Sequence, residues 1–215
     1  MTSVTQPSRP DRLRRDLQLL SSLIPVGSRV LDLGCGHGSL LRHLQAERGC
    51  TIQGVEIDDE SVLTAIQRGV PVIELDIDYQ LNNFDDRAYD VVVLSRTLQA
   101  VRRPKEVLLE MARIAPTIIV SMPNFAYWRN RLGLLSGHAP RSKDLPYAWY
   151  DSPNVHFGSL TDLEALFAEL GLTVQRCLPL NTAGHRSAFP AAWRNWFAGA
   201  ALYELTGQRM TAAAD

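Results

Sequence analysis

Three glycines within five residues, Gly34, Gly36 and Gly38 in the stretch LDLGCGHG, predict a loop that approaches a ligand closely. A buried strand before them and a helix after them would place the loop at the carboxyl end of a parallel sheet, where open α/β folds bind ligands. The spacing departs from the dinucleotide fingerprint at its sixth position, Ser39, and no Gly-Lys-Ser/Thr follows to form a P-loop. The glycines alone leave the ligand open.

Asp32, two residues before the first glycine, indicates which charge the ligand carries. An ionised carboxylate would repel a pyrophosphate, and the loop offers no lysine or arginine to offset that repulsion. The same carboxylate would attract an ammonium group. S-adenosylmethionine carries an ammonium and a sulfonium and has no phosphate, so Asp32 favours that ligand.

Two further acids are predicted at the ends of the next two strands. Glu56, 22 residues after Gly34, could accept hydrogen bonds from both ribose hydroxyls. Asp76 could accept one from the adenine amino group, although an acid at a strand end can also simply face water. Three acids at successive strand ends favour S-adenosylmethionine or S-adenosylhomocysteine as the ligand. The predicted contacts with this cofactor are Asp32, Gly34, Cys35, Gly36, Gly38, Glu56, Ile57, Asp76, Ile77 and Ser95.

The elements that must position these residues alternate along the chain. Apolar runs predict seven strands, at residues 28–33, 51–57, 71–77, 90–95, 116–122, 172–180 and 200–206. Helical spacing of apolar residues predicts covering helices between most of the strands. This order implies right-handed crossovers and a mostly parallel α/β sheet that is covered on both faces.

Several segments outside the strands have signals of their own. Residues 13–24 have helical spacing, and Thr161 with Glu164 predicts a capping box at the start of a later helix. Residues 137–158 contain three prolines and several aromatic residues, which predicts a long loop or lid. We expect residues 1–10 to be a disordered tail and residues 11–215 to form a single domain.

Composition limits the classes of function. The 215 residues carry a net charge of −1, which gives no electrostatic basis for non-specific nucleic-acid binding. The cysteines, Cys35, Cys50 and Cys177, are odd in number and far apart, which predicts neither disulfides nor a metal site. No apolar run is long enough to span a bilayer, and the start lacks a secretory signal core. We therefore expect a cytoplasmic protein without a membrane partner.

The motifs carry a family resemblance. LDLGCGHG, GVEID, ELDID and YDVVVLS resemble the successive cofactor motifs of class I S-adenosylmethionine-dependent methyltransferases. LSRTLQAVRRPKEVL, IVSMPNFAYWRNRLGLL and LPYAWYDSPNVHF resemble the MetW family of methionine biosynthesis, over about residues 11 to 178. The resemblance implies a Rossmann-like seven-stranded sheet, parallel except for a reversed last strand. It also implies that the protein assists homoserine O-acyltransferase, which activates the homoserine hydroxyl.

The resemblance has one chemical gap. In many relatives that act on small molecules, the segment after the fourth strand reads like Leu-Glu-His-Val, and its histidine can face the methyl acceptor. Here the segment is Leu-Gln-Ala-Val, and Ala100 cannot shuttle a proton. Positioning alone can still accelerate methyl transfer, so a missing base does not exclude an enzyme. No residue is predicted to be catalytic.

The second half of the chain offers other candidates with two interpretations each. His156 is more readily a structural histidine than a catalytic one. Tyr147, Trp149 and Tyr150 would either wall an acceptor pocket or pin the lid. A local basic stretch is either a solvated surface or a docking surface for an acidic partner; it comprises Arg129, Arg131, His138, Arg141 and Lys143.

Two functions follow. One is an S-adenosylmethionine-binding accessory protein that supports or regulates homoserine O-acyltransferase; binding of the pathway's downstream product would make it a sensor. The other is an active methyltransferase on an unknown small molecule.

Overall fold

The computed structural model describes residues 13–140 and 148–207, which form one seven-stranded sheet with helices on both faces. The predicted tail at residues 1–10 and the candidates Arg141, Lys143 and Tyr147 lie outside the described residues. The strands are β1 (Arg29–Leu33), β2 (Thr51–Glu56), β3 (Val72–Glu74), β4 (Val91–Ser95), β5 (Thr117–Pro123), β6 (Leu172–Leu180) and β7 (Ala200–Gly207). The helices are α1 (Arg15–Leu23), α2 (Ser39–Arg48), α3 (Asp59–Gln67), α4 (Pro104–Ile114), α5 (Trp128–Leu135), α6 (Leu160–Glu169) and α7 (Ala191–Phe197).

The strand order is β3-β2-β1-β4-β5-β7-β6. β1 pairs in parallel with both β2 and β4, while β7 pairs antiparallel with both β5 and β6. The predicted fold, parallel except for a reversed last strand, is therefore confirmed. Because the chain progresses outward from β1 in one direction and from β4 in the other, a crevice opens between the carboxyl ends of these two strands.

The central strand β4 shows how the core divides into two layers. Val92 and Leu94 pack on the face that α4 and α6 cover, whereas Val91 and Val93 pack on the face of α1 and α2. All four side chains are buried. A strand that is covered on both faces reads as a continuous apolar run, which is why the sequence DVVVLS has no polar alternation.

β3 is shorter than the predicted strand 71–77, because it ends at Glu74. Leu75 turns into the core, and its N–H still donates to the carbonyl of Glu56 at 3.1 Å. The carbonyl of Asp76 then accepts from the N–H groups of residues 79 and 80, which closes a turn. Asp76 therefore stands in a loop just beyond the strand, not at its end.

The predicted capping box at Thr161 and Glu164 is wrong by two residues. The side chain of Ser159 accepts from the N–H of Asp162, and the Asp162 carboxylate accepts from the N–H of Ser159 at 3.0 Å. The earlier start brings Leu160 into the helix, where it is buried on the same face as Leu163 and Phe167. Glu164 has another role, since it accepts from the Tyr203 hydroxyl at 2.9 Å.

The connections after β5 and β6 both contain helical structure, which apolar periodicity predicted after β5 but not after β6. The helix predicted just after the fifth strand is present as α5, but α7 was not foreseen. The described parts of the predicted lid, residues 137–140 and 148–158, contain neither helix nor strand. The N–H groups of Val155 and His156 donate to the carbonyl of Gln99, which holds this segment against the turn after β4. Within the described ranges, no helix has the length and apolar character that a membrane crossing requires.

Candidate cofactor site at the carboxyl end of the sheet

Two adjoining cavities lie at the carboxyl ends of β1 and β4. The larger, of about 450 Å³, is lined by Leu13, Arg14, Leu17, Asp32, Gly34, Cys35, Gly36, His37, Ser39, Leu40, Ser95, Arg96 and Thr97. The smaller, of about 320 Å³, is lined by Gly34, Glu56, Ile57, Leu75, Asp76, Ile77, Asp78, Thr97, Ala100, Val101 and Arg102. Gly34 and Thr97 border both cavities, so the two cavities form one elongated groove. It is referred to from here on as the groove.

Nine of the ten predicted contact residues line the groove. The exception is Gly38, which caps the start of α2 in the left-handed region with a φ of 71°. A Cβ on Gly38 would lie 2.9 Å from a methyl of Val70, so this glycine permits close packing of the helix. That the ten residues touch a ligand stays a prediction.

Gly34 forms the waist of the groove. Its φ of 71° suits glycine, and an added Cβ would lie 2.7 Å from the Oγ1 atom of Thr97. The N–H groups of Gly34 and Cys35 both donate to the carbonyl of Val55, at 2.8 and 3.0 Å. The loop is therefore tied to the end of β2 by its own backbone.

Asp32 lies at the larger end of the groove and is almost completely buried, with 3% of its surface exposed. Its Oδ1 atom is buried and has no hydrogen-bond partner among the described residues. Burial, and secondarily the nearby charge of Glu56, raises the pKa of Asp32 to about 8. A cationic ligand group beside this carboxyl would supply both a hydrogen bond and a compensating charge.

Glu56 holds the glycine loop in addition to facing the groove. One carboxylate oxygen, Oε2, accepts from the N–H of Gly36 at 2.7 Å. The other, Oε1, accepts from the N–H groups of Ile57 and Asp58 at 2.9 and 3.1 Å. A carboxylate has about four acceptor sites, so these three bonds leave Glu56 room for one ligand hydroxyl, and a second hydroxyl would have to replace a backbone N–H.

Asp76 organises the floor of the smaller cavity. Its Oδ1 atom accepts from the N–H of Asp78 at 2.9 Å, and its own N–H donates to Gln80 at 2.9 Å. Asp78 in turn accepts from the N–H groups of Arg102 and Arg103. Two loops that follow different strands are thereby joined beside the predicted adenine end of the groove.

Cys35 fills space beside Gly54, and its burial disfavours the thiolate form. Its Sγ atom lies where a side chain on Gly54 would project, 2.6 Å from the position of an added Cβ. Burial, with smaller contributions from the charges of Asp32 and Glu56, raises the pKa of the Cys35 thiol to about 12. A thiol with this pKa remains protonated at neutral pH.

Sequence patterns do not predict that α1 and Arg96 help to form the site. Leu13, Arg14 and Leu17, at or just before α1, close one side of the larger cavity. Asp16 of the same helix is buried, and its Oδ2 atom lies 3.1 Å from Nε of Arg96. In the sequence, this tertiary contact is indicated by the charge of Asp16 between the apolar positions Leu13 and Leu17.

Arg96 has an unusual backbone conformation. Its φ of 55° is one of two positive values at non-glycine positions in the described ranges. Its N–H donates to the carbonyl and the hydroxyl of Ser121, at 3.0 Å each, which helps to hold that conformation. Such strain is characteristic of binding and catalytic loops.

The region after β4 contains no clear proton-transfer group. Ala100 lines the smaller cavity, and Gln99 is buried with its Nε2 atom donating to the carbonyl of Arg96. His156 lies in a separate apolar cavity of about 170 Å³ that does not include the groove residues Asp32 or Gly34. Trp149 and Tyr150 are exposed and pack edge to face on each other outside the groove. No cluster of metal-binding side chains occurs in the described residues.

The fold defines the class of protein first. The chain is similar to a methyltransferase solved with the Trm112 methyltransferase activator of Haloferax volcanii, at 21% identity and a TM-score of 0.67, covering 90% of this chain and 89% of that one. It is also similar to magnesium protoporphyrin IX methyltransferase of Synechocystis PCC 6803, solved with bound SAH, at 18% identity and a TM-score of 0.60, covering 90% and 80%. The chain thus has the Rossmann-like fold of S-adenosylmethionine-dependent methyltransferases.

The family is narrower than the fold. The family model of methionine biosynthesis protein MetW matches residues 14–205, and the chain belongs to this family. The bifunctional methionine biosynthesis protein MetXA/MetW of Rhodopirellula baltica is 36% identical over 182 residues, covering 79% of this chain and 29% of the relative. A ubiquinone biosynthesis O-methyltransferase of Azoarcus sp. is 32% identical over 96 residues, covering 42% and 40%. The chain therefore spans less than half the length of these curated relatives.

Proposed function

We propose that this protein binds S-adenosylmethionine or S-adenosylhomocysteine in the groove and acts as an accessory or regulatory protein of homoserine O-acyltransferase in methionine biosynthesis. The observation that carries the ligand assignment is the buried Asp32 carboxyl, whose Oδ1 atom has no partner in the described part of the chain. An ammonium group would satisfy this atom and favour the ionised carboxylate, whereas a phosphate would be repelled by that ionised form.

The other groove residues fit the rest of the same ligand. Glu56 would hold the ribose hydroxyls, and Asp76 would accept from the adenine amino group. Ile57 and Ile77 supply apolar surface in the smaller cavity beside these acids. When bound, S-adenosylmethionine would supply an activated methyl group, and the residues described here would bind and orient it.

The accessory role rests on the family and on what the groove lacks. Ala100 stands where many relatives have a histidine, and Gln99 is committed to the backbone of Arg96. The R. baltica relative unites MetXA and MetW in one bifunctional chain. Fusion of two proteins is expected where the separate proteins act together, and the family resemblance implies that the second one is homoserine O-acyltransferase.

The deciding measurement is the rate of homoserine acylation by the cognate O-acyltransferase, with and without this protein added back. A large, dose-dependent rise in rate is expected. No change, with both proteins folded, would contradict the accessory role and leave the methyltransferase as the better explanation.

A regulatory role requires, in addition, that ligand binding and partner binding affect each other. If the ligand acts as a signal, its affinity must differ between the free protein and the complex with the acyltransferase, because coupling between two sites is reciprocal. Isothermal titration of S-adenosylmethionine with and without the partner measures this difference. Equal affinities would exclude a sensor while leaving an accessory role intact.

An active methyltransferase is the second candidate, favoured by the complete set of groove acids and by the partial similarity to an O-methyltransferase. Incubation of labelled S-adenosylmethionine with a metabolite extract would reveal a methylated product. Absence of any product, with the acyltransferase also present, would count against this function.

A further inference from the structure

Helix α5 buries a polar residue and exposes apolar ones, which is the reverse of an ordinary surface helix. Its buried residue is Asn130, whereas Leu132, Leu134 and Leu135 are more than half exposed, Leu135 at 83%. Trp128, Leu132 and Leu135 follow the i, i+4, i+7 spacing of a single helix face. A surface helix normally buries such a stripe.

Helix α7 extends the apolar surface beside α5. Trp193 and Trp196 are exposed, and no residue of α7 is fully buried. One open cavity of about 520 Å³ is surrounded by Trp128, Arg131, Leu132, Leu134, Leu135 and Trp196. This set is called the α5–α7 face. Tryptophan and arginine around exposed leucines match the composition of the energetic centre of a protein interface.

The α5–α7 face is held rigidly from below by buried amides. Asn130 donates from Nδ2 to the carbonyls of Asn124 and Phe125, at 3.3 and 3.1 Å. Asn124 donates to the carbonyls of Asn195 and Ala198, at 3.0 and 2.9 Å. These bonds tie the end of β5 and α5 to α7, so the apolar face is fixed before a partner arrives, which lowers the entropic cost of binding.

Arginines add a defined charge and further order. The guanidinium of Arg131 stacks on Trp196, 4.1 Å from the ring centre, and that of Arg129 lies 5.2 Å from the ring centre of Trp128. Residues 124–140 contain these arginines and His138 but no Asp or Glu, and residues 185–203 also lack acids. An apolar centre with a basic border is complementary to an apolar centre with an acidic border.

The same charge argues against a second copy of this chain. In a two-fold symmetric contact the same patch meets itself, which would bring Arg129 and Arg131 of both copies together. Neither segment of the face supplies an acid to offset that repulsion.

We propose that the α5–α7 face is the docking surface for a different protein, whose contact region is an apolar patch bordered by aspartate and glutamate. The inference rests on the proposed function in that the partner used to test it is homoserine O-acyltransferase. It adds where on this chain the contact is made, away from the groove.

The test is calorimetric titration of the acyltransferase with the wild-type protein and matched variants. Leu135→Asp changes the face and Arg129→Glu changes its basic border, while Leu63→Asp and Arg42→Glu make the same changes at exposed positions on α3 and α2. We expect the first pair to lower affinity at least tenfold and the second pair to change it less than about twofold. Binding of wild type should weaken with salt, and Arg129→Glu should reduce that dependence.

Each alternative has its own result. Full affinity of both face variants would overturn the docking surface and leave the proposed function standing. Absence of binding by the wild-type protein would refute the partner and this inference together. A dimer in light scattering that Leu135→Asp dissociates would assign the face to a second copy and likewise overturn the proposal.

Discussion

At the scale of single residues, the groove combines acids with different surroundings. Asp32 is buried with an unpartnered oxygen, and Glu56 is bound by three backbone N–H groups. The sequence predicted both as ligand groups, because carboxylates after buried strands gather at one edge of a sheet. It could not predict that Glu56 also fixes Gly36, since that bond depends on how β2 lies beside the loop.

Asp32→Asn should stabilise the fold at neutral pH and weaken binding of the ligand. The raised pKa means that the folded protein retains a proton which the unfolded chain releases above about pH 4. Wild-type stability should therefore decrease between about pH 4 and about pH 8, by at most about 1.4 kcal/mol per pH unit, and Asp32→Asn should lack this contribution. Chemical denaturation across that range measures it; a less stable variant at pH 7 would indicate a structural carboxylate.

Ligand affinity should depend on the same proton. Attraction of an ammonium group needs the ionised Asp32 carboxylate, so the contribution of this residue to affinity should grow as pH rises toward about 8. At pH 8, Asp32→Asn should cost about 1–3 kcal/mol of binding. Titrations of both proteins at several pH values test this, and parallel curves would remove Asp32 from ligand binding.

Glu56→Ala should lower S-adenosylmethionine affinity by about 1–3 kcal/mol, the scale of a charge-assisted hydrogen bond. Part of the loss comes from Gly36, whose N–H loses its acceptor. Glu56→Gln keeps an acceptor oxygen and is the control for loop order. Unchanged affinity in the alanine variant would mean that the ribose is held elsewhere.

At the scale of elements, two features frame the groove: the glycine loop and α1. The strand-loop-helix order around the glycines could be predicted, because apolar runs and glycines mark it locally. The role of α1 as a wall could not, since the Asp16–Arg96 pair joins residues 80 positions apart. The capping box at α6 was misplaced because two overlapping pairs fit the motif, and burial of Leu160 selects the earlier one.

Gly34→Ala should close the waist of the groove. The new methyl would meet the Thr97 side chain at 2.7 Å in a backbone conformation that disfavours alanine. We expect at least a tenfold loss of ligand affinity in addition to lower stability. Gly69→Ala is the matched control, because it has a φ of 80° and open space around the added Cβ, so it should lose stability only.

Asp16→Asn should loosen α1 and destabilise the protein by about 1–3 kcal/mol, because it removes the charge that pairs with Arg96. Asp90→Asn breaks the exposed pair with Arg29 and should cost about 1 kcal/mol or less. Thermal denaturation compares the two. Faster hydrogen exchange confined to α1 would support its role as a wall, and equal effects of both substitutions would contradict it.

At the scale of the whole molecule, the groove and the α5–α7 face both arise from carboxyl ends of parallel strands. The groove lies at β1 and β4, and the segments bearing α5 and α7 connect to β5 and β7 where Pro123 pairs with Ala200. The seven strands were predictable from apolar runs, whereas the reversal of the last strand was implied by the family resemblance. The exposed stripe on α5 escaped prediction because periodicity reveals an apolar face without revealing what covers it.

The reversed direction of β7 has a practical use in biosensor construction. Since Thr206 pairs with Thr117 at the beginning of β5, β7 finishes at the edge of the sheet opposite to the groove. A fluorophore, fusion tag or surface anchor attached at Gly207 would leave from that far edge. Immobilised through this position, the protein would present both the groove and the α5–α7 face to the solution.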